Sequence, residues 1–194
     1  MKILVTGFDA FGGETINPSW ECVKALSEKT GKFTLHKLLL PTVYGKAAKI
    51  AIKEAERISA DVILSVGQAG GRKNVTPEAV GINVRDAGIA DNEGNIKSGE
   101  KIIADGPAAF FPTIDALEIS RKLAAEGLPC SVSYSAGTFV CNDLLYNLLY
   151  RFDCTPVRAG FVHVPFFPEQ AKEGVPSLPK EISVKVLTEI IKLL

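Results

Sequence analysis

The chain has 194 residues, which suits one domain of ordinary size with a core that needs no disulfide or metal to hold it. Hydrophobic residues make up 46% and charged residues 23% of the chain, as in folded globular proteins and unlike disordered ones. Lys plus Arg and Asp plus Glu number 22 each, so no excess of positive charge indicates nucleic acid or an acidic membrane surface as a partner.

The first half of the chain alternates predicted strands and helices. A short apolar strand at 3–5 opens it, and this run turns polar too early for a secretory signal. No later apolar run approaches the ~20 residues of a membrane span, so we expect a cytoplasmic protein with no membrane partner. A helix is predicted from Pro18 to Glu28, with Asn17 as its N-cap. The next predicted elements are a strand at 33–40, an amphipathic helix at 46–58 and a buried strand at 62–66.

The helical period disappears between Gly67 and Pro112, where only residues 80–84 look like a strand. Irregular segments of this length are uncommon in compact domains unless they are functional. Regular elements then resume: helices are predicted at 113–126, from about 139, and at 180–194, and strands at 130–135 and 158–164.

This alternation predicts one α/β domain over residues 1–194, with a largely parallel twisted sheet and helices on both faces in three α/β/α layers. Ligands bind such sheets beyond the carboxyl ends of the strands. The functional edge should therefore consist of the loops that follow Thr6, Val66, Ser135 and Val164.

The loop at 7–13 reads Gly-Phe-Asp-Ala-Phe-Gly-Gly and lies between a strand and a helix, where a phosphate-binding loop would lie. It lacks the Gly-x-Gly-x-x-Gly pattern and the lysine of Gly-x4-Gly-Lys-Ser/Thr. Phe8 and Phe11 also make a poor phosphate cradle, so we expect no nucleotide cofactor here. The two rings either fill a tight turn or line a pocket.

Four cysteines are present, and neither a Cys-x-x-Cys pair nor a zinc-type spacing of Cys and His occurs, so we expect free thiols and no metal. Cys141 stands apart because it begins a predicted helix at the functional edge, after a turn of small residues. Helix N-termini lower the pKa of a thiol, and their N–H groups can stabilise an oxyanion. A buried core thiol is the commoner role of a cysteine, and we expect no reactivity from the other three. These are Cys22, Cys130 and Cys154.

Only two histidines, His36 and His163, can serve as a base. His163 lies near the carboxyl end of a predicted strand, at the same edge as Cys141, whereas His36 lies in the middle of a strand. A Cys/His pair is sufficient for covalent acyl transfer, and a third group usually orients the imidazole. Spacing alone leaves three candidate carboxylates in the irregular segment: Glu78, Asp86 and Asp91.

Several short motifs follow one another along nearly the whole chain. They occupy residues 5–8, 11–14, 17–21, 67–72, 77–78, 82–84, 91–94, 135–142, 160–165 and 168–170. In this order and spacing they resemble the pyrrolidone-carboxylate peptidases, also called pyroglutamyl-peptidase I, a family of cysteine peptidases.

The resemblance implies a triad in which Glu78 is the carboxylate that orients His163 beside Cys141. It implies removal of N-terminal pyroglutamate from peptides, with no cofactor, by a homo-oligomer that is often a tetramer. It also implies five substrate-binding residues, of which three surround the pyrrolidone ring and two make polar contacts. The former are Phe8, Phe11 and Val140, and the latter are Asn17 and Gln68.

One segment departs from the family pattern. The family usually has Asp-Ala-Arg-Ile-Pro-Asp-Asn, whereas residues 86–92 read Asp-Ala-Gly-Ile-Ala-Asp-Asn. Gly88 thus replaces an arginine, and Ala90 replaces a proline. If that arginine stabilises the oxyanion or orders the loop, activity is lower or differently tuned here. Two alternatives stay open. The Cys/His pair is also compatible with an amidase or transferase for another small lactam or amide, and the loss of the arginine adds weight to a catalytically weakened binding module for a cyclic ligand.

Overall fold

The computed structural model describes residues 1–194 and contains ten strands and five helices. The strands are β1 (Lys2–Phe8), β2 (Lys29–Thr30), β3 (Phe33–Leu40), β4 (Val62–Gln68), β5 (Thr76–Pro77), β6 (Gly81–Ile82), β7 (Arg85–Ala87), β8 (Lys97–Glu100), β9 (Ala109–Phe110) and β10 (Arg158–Val164). The helices are α1 (Pro18–Ala25), α2 (Lys46–Ile58), α3 (Ala116–Ala125), α4 (Val140–Arg151) and α5 (Lys180–Leu193).

Six of the strands form one sheet in the order β2-β3-β1-β4-β10-β5. The four central strands β3, β1, β4 and β10 are parallel, and the short edge strands β2 and β5 are antiparallel to their neighbours. The predicted α/β class with a largely parallel sheet is therefore confirmed.

Helices cover both faces of this sheet. One core cluster joins the sheet to α1, α3 and α5, and the other joins it to α2 and α4. Along β1, Ile3 and Val5 belong to the first cluster, and Leu4 and Phe8 belong to the second. Because alternate residues of a strand point to opposite faces, a sheet covered on both sides needs continuous apolar strands, as this chain has.

Four predicted elements differ from the structure. The strand predicted at 80–84 is reduced to the two residues of β6. The first helix ends at Ala25, not Glu28, and the chain turns into β2. The third begins at Ala116, where the Asp115 side chain caps it by accepting from the Glu118 N–H at 2.9 Å. Residues 130–135 form only two isolated bridges, through Cys130 and Ser133.

The irregular stretch between Gly67 and Pro112 contains three small antiparallel pairings: β5 with β10, β6 with β9, and β7 with β8. Asn142 of α4 holds this stretch in place. Its buried amide accepts from the Ile82 N–H at 2.9 Å and donates to the Ile82 and Val84 carbonyls at 2.9 and 3.0 Å. The helix that carries Cys141 is thereby fixed against the segment that follows Glu78. None of the five helices has the length and continuous hydrophobicity that crossing a bilayer requires.

Candidate active site

A cavity of about 470 Å³ opens at the carboxyl ends of β1, β4 and β10, where the sequence predicts the functional edge. Cys141 and His163 both line it, as do polar side chains from other loops. His36, the other histidine, lies on β3 outside this lining. The structure thus brings the predicted nucleophile and base into one pocket.

Cys141 is the second residue of α4, and no side chain caps this helix. The N–H groups of its first turn therefore have no side-chain acceptor, and they point out of the end of the helix that faces the pocket. The thiol lies directly over β4: a Cβ added to Gly67 would be 2.9 Å from the Cys141 Sγ. Gly67 is the residue paired with His163 across β4 and β10. Cys141 therefore lies over the strand position next to His163.

Glu78 and His163 form a buried hydrogen-bonded pair, in which His163 Nδ1 lies 2.6 Å from Glu78 Oε1. The backbone explains the contact, because β5 runs antiparallel to β10 and the Glu78 N–H donates to the Phe161 carbonyl at 2.9 Å. With Nδ1 engaged, Nε2 is the imidazole nitrogen left for chemistry in the pocket.

The other two candidate carboxylates do not contact His163. Asp91 is buried and accepts from the N–H groups of Tyr44, Glu93 and Asn95, so it orders its own loop. Asp86 is exposed. Among the three carboxylates that spacing leaves open, only Glu78 reaches the imidazole.

The electrostatics of the site favour a neutral thiol at Cys141, a neutral imidazole at His163 and an ionised carboxylate at Glu78. Burial raises the pKa of the Cys141 thiol to about 12, and the Glu78 carboxylate adds to this rise. Burial lowers the pKa of His163 even though its hydrogen bond to Glu78 opposes the change. Burial raises the pKa of Glu78, but the hydrogen bonds and electrostatic attraction of His163, Ser133 and Arg72 together outweigh burial, and the net pKa is lowered. The expected lowering of the thiol pKa by the helix N-terminus is reversed, because the burial of the sulfur outweighs it.

Three phenylalanines form the apolar wall of the cavity: Phe8, Phe11 and Phe139. The Phe11 and Phe139 rings lie 5.8 Å apart, centroid to centroid. Val140 is fully buried in the core behind this wall and does not line the cavity. Phe139 was missed by the sequence analysis, although its position as the N-cap of α4 places it beside Cys141.

Asn17 and Gln68 supply polar groups to the same wall. The Asn17 Oδ1 caps α1 by accepting from the Ser19 N–H at 3.0 Å, and its Nδ2 donates to the Asp9 carbonyl at 2.8 Å. One amide hydrogen of Asn17 is left over, since each amide carries two. The Gln68 Oε1 is buried and has no hydrogen-bond partner in the protein. The wall therefore combines a spare donor with an unpaired acceptor.

A sequence model described as pyroglutamyl peptidase matches residues 1–193 of the chain. The chain belongs to this family. The pyrrolidone-carboxylate peptidase of Bacillus cereus strain 03BB102 is 44% identical over 200 aligned residues, which cover 97% of this chain and 93% of the relative. The resemblance drawn from the motifs is confirmed.

Solved structures of the family have the same fold. Pyroglutamyl peptidase I from Bacillus amyloliquefaciens matches with a TM-score of 0.93 at 42% identity, covering 98% of this chain and 95% of that one. The pyrrolidone carboxyl peptidase of Thermococcus litoralis matches with a TM-score of 0.93 at 32% identity, covering 99% and 92%.

The departure from the family motif lies outside the cavity. Gly88 is not among the lining residues, and a Cβ added there would meet nothing within 4 Å. Arg85 does not line the cavity either, and it pairs with the buried Asp143 at 2.5 Å. The preserved Asn92 still supports the pocket, since its Nδ2 donates to Asp9 Oδ1 at 3.0 Å and to the Ala10 carbonyl at 2.9 Å. These bonds fasten the loop that presents Phe8 and Phe11.

Proposed function

We propose that this chain is a cysteine peptidase that hydrolyses the N-terminal pyroglutamyl residue from peptides, with Cys141 as nucleophile, His163 as base and Glu78 as orienting carboxylate. The observation that carries this proposal is the buried 2.6 Å contact between His163 Nδ1 and Glu78 Oε1, with His163 lining the same pocket as Cys141. Membership of the pyroglutamyl peptidase family supports the same reaction.

The neutral resting state defines the proton path. His163 Nε2 takes the Cys141 proton as Sγ forms a bond to the pyroglutamyl carbonyl carbon, and the carbonyl becomes an oxyanion. The uncapped N–H groups at the start of α4 stabilise that charge. The C–N bond then breaks, and the imidazolium gives its proton to the leaving amine. Water attacks the thioester with His163 again as base, which releases pyroglutamate and restores the thiol.

The pocket wall accounts for the choice of acyl group. Pyroglutamate is a neutral lactam, so its methylenes suit the phenylalanine wall, with Val140 packed behind it. The spare Asn17 amide hydrogen suits the lactam carbonyl, and the unpaired Gln68 oxygen suits the lactam N–H. Leaving such a group unpaired costs about 1–3 kcal/mol, which a bound lactam relieves. N-terminal glutamine would bring an ionised amine into this apolar slot and pay its desolvation.

We also propose that the catalytic domain spans residues 1–194 and works as a cytoplasmic homo-oligomer, with a tetramer favoured by the family resemblance. Four free cysteines support a reducing compartment. Exposed apolar side chains support self-association, notably Phe111 at 80% and Tyr134 at 68% exposure. The zero net charge supports the absence of a nucleic-acid partner.

A panel of fluorogenic amides tests this function. The acyl groups are pyroglutamyl, prolyl, glutaminyl and acetyl-alanyl, each with and without a thiol-directed inhibitor. We expect turnover of the pyroglutamyl amide alone and its loss with the inhibitor. Preference for another blocked amide would favour the amidase or transferase alternative. Tight binding of pyroglutamate without turnover of any amide would favour the binding module.

A further inference from the structure

Arg72 is the only Lys or Arg side chain in the pocket lining. Its Nη1 donates to Glu78 Oε1 at 2.7 Å and to Thr76 Oγ1, and its Nη2 donates to the Ser135 carbonyl at 3.1 Å. The Arg72 side chain is 26% exposed, whereas that of Glu78 is fully buried. Arg72 thus joins the carboxylate of the site to the turn that precedes the helix of Cys141.

One oxygen of Glu78 is shared between two partners. Oε1 lies 2.7 Å from Arg72 Nη1 and 2.6 Å from His163 Nδ1. With an ionised guanidinium, an ionised carboxylate and a neutral imidazole, the group has zero net charge. A proton added to His163 would leave one uncompensated positive charge in a buried site, which is unfavourable.

No other charged side chain opposes or reinforces this balance. The strand neighbours of His163 are Gly67 on β4 and Thr76 on β5, which are both uncharged. The helix α4 presents the neutral thiol of Cys141, and the charged groups that act on the imidazole are Glu78 and Arg72. Without the guanidinium, the remaining carboxylate and imidazole would carry one negative charge, which protonation of His163 would cancel.

We propose that Arg72 is a positioning residue whose charge compensates Glu78 and thereby keeps His163 unprotonated, ready to act as the base. Its positive charge lowers the pKa of both His163 and Cys141, in line with this role. The consequence for hydrolysis rests on the proposed function. The effect on the protonation of His163 does not, since it applies to the free protein.

The two histidines of the chain make a direct test possible, because NMR of isotope-labelled imidazoles follows both titrations without substrate. His36 serves as the internal reference. The variants are Arg72→Met, which removes the charge, and Arg72→Lys, which retains it. Arg72→Gln replaces the methionine variant if that one does not fold. Arg85→Met is the matched control, because Arg85 also pairs with a buried carboxylate and is 18% exposed, but does not line the pocket.

In Arg72→Met, we expect the His163 titration to move to higher pH by about one unit, as for removal of a nearby like charge. In Arg72→Lys and in Arg85→Met, His163 should titrate at the same pH as in the wild type. The acid limb of the pH profile of kcat/KM for a pyroglutamyl amide should shift by the same amount as the NMR titration. At a fixed pH on that limb, kcat/KM should therefore be about tenfold lower than in the wild type.

An unshifted His163 in the charge-removing variant would overturn the inference. So would an equal shift in Arg72→Lys or in Arg85→Met, because charge at Arg72 would then not be the cause. If the His163 titration shifts as expected but the wild type hydrolyses no pyroglutamyl amide, the proposed function fails and the inference on Arg72 stands.

Discussion

Gly67→Ala should damage the catalytic geometry, and comparison with Gly160→Ala should separate this damage from a general loss of stability. A Cβ at Gly67 would lie 2.7 Å from the Phe161 ring and 2.9 Å from Cys141 Sγ. Carbon atoms pack best at about 3.5–4.0 Å, so ring and sulfur must each retreat by at least about half an ångström. The Phe161 ring also packs on the imidazole of His163, with centroids 4.8 Å apart. The added methyl group should therefore displace the side chains of both Cys141 and His163.

Overpacking of this kind costs about 1–3 kcal/mol of stability. A misplacement of about 1 Å can cost about a hundredfold in rate, so half of that distance predicts a loss of at least about tenfold in kcat/KM. The assays are urea denaturation and hydrolysis of a pyroglutamyl fluorogenic amide at a temperature where the variant stays folded.

Gly160→Ala is the matched control. Its Cβ would lie 2.8 Å from Ile114 Cδ1, on the face of β10 opposite to His163, so the strain is similar but remote from the sulfur. We expect comparable destabilisation with kcat/KM near that of the wild type. Equal activity in the two alanine variants, or an equal loss in both, would refute the geometric reasoning.

Three further variants test other parts of the site. Glu78→Gln should lower kcat/KM by about 10³–10⁴ and move its acid limb to lower pH, because the carboxylate raises the pKa of His163; an acid limb that moves upward would contradict this. Asn17→Ser keeps an N-cap hydroxyl but removes the amide that donates to the Asp9 carbonyl, so the free energy of unfolding should fall by about 1 kcal/mol while KM rises about tenfold; an unchanged KM would exclude Asn17 from lactam binding. Asp143→Ala leaves Arg85 without its buried partner and should lower the free energy of unfolding by about 3–5 kcal/mol, as measured by urea denaturation; a loss below about 1 kcal/mol would show that the pair matters little.

Local periodicity was sufficient to predict much of the fold. The bounds of β3, α2 and β10 agree with those predicted: an amphipathic stripe extends over α2, a mostly apolar run extends over β10, and β3 is rich in apolar residues up to Pro41. The predicted strand at 130–135 was wrong. Its neighbour at the sheet edge is the two-residue β5, where Pro77 has no N–H to donate, and regular pairing stops there.

Only part of the site could be predicted from the sequence. Cys141 and His163 could be paired because parallel strands direct their carboxyl ends to one edge. Glu78 could not be chosen from spacing, since its contact with His163 depends on how β5 meets β10. Arg72 escaped notice for the same reason, as its partners Glu78 and Ser135 come from distant parts of an irregular region.

The pKa of the Cys141 thiol was predicted with the wrong sign. The helix N-terminus is visible in the sequence, but the burial that outweighs it follows from the packing of Cys141 over Gly67 of β4 and against the core on that face of the sheet. Desolvation of a charge depends on everything that surrounds it, so a local motif does not determine its size.

The central claim is that Cys141 performs covalent hydrolysis of the pyroglutamyl bond. The most direct measurement compares turnover of a pyroglutamyl fluorogenic amide by the wild type, Cys141→Ser and Cys154→Ser, with folding of each verified by circular dichroism. Cys154 is exposed and lies outside the pocket, so its variant controls for loss of a thiol as such. We predict no detectable turnover in Cys141→Ser and wild-type turnover in Cys154→Ser. Retained turnover in folded Cys141→Ser would contradict the assignment of the nucleophile.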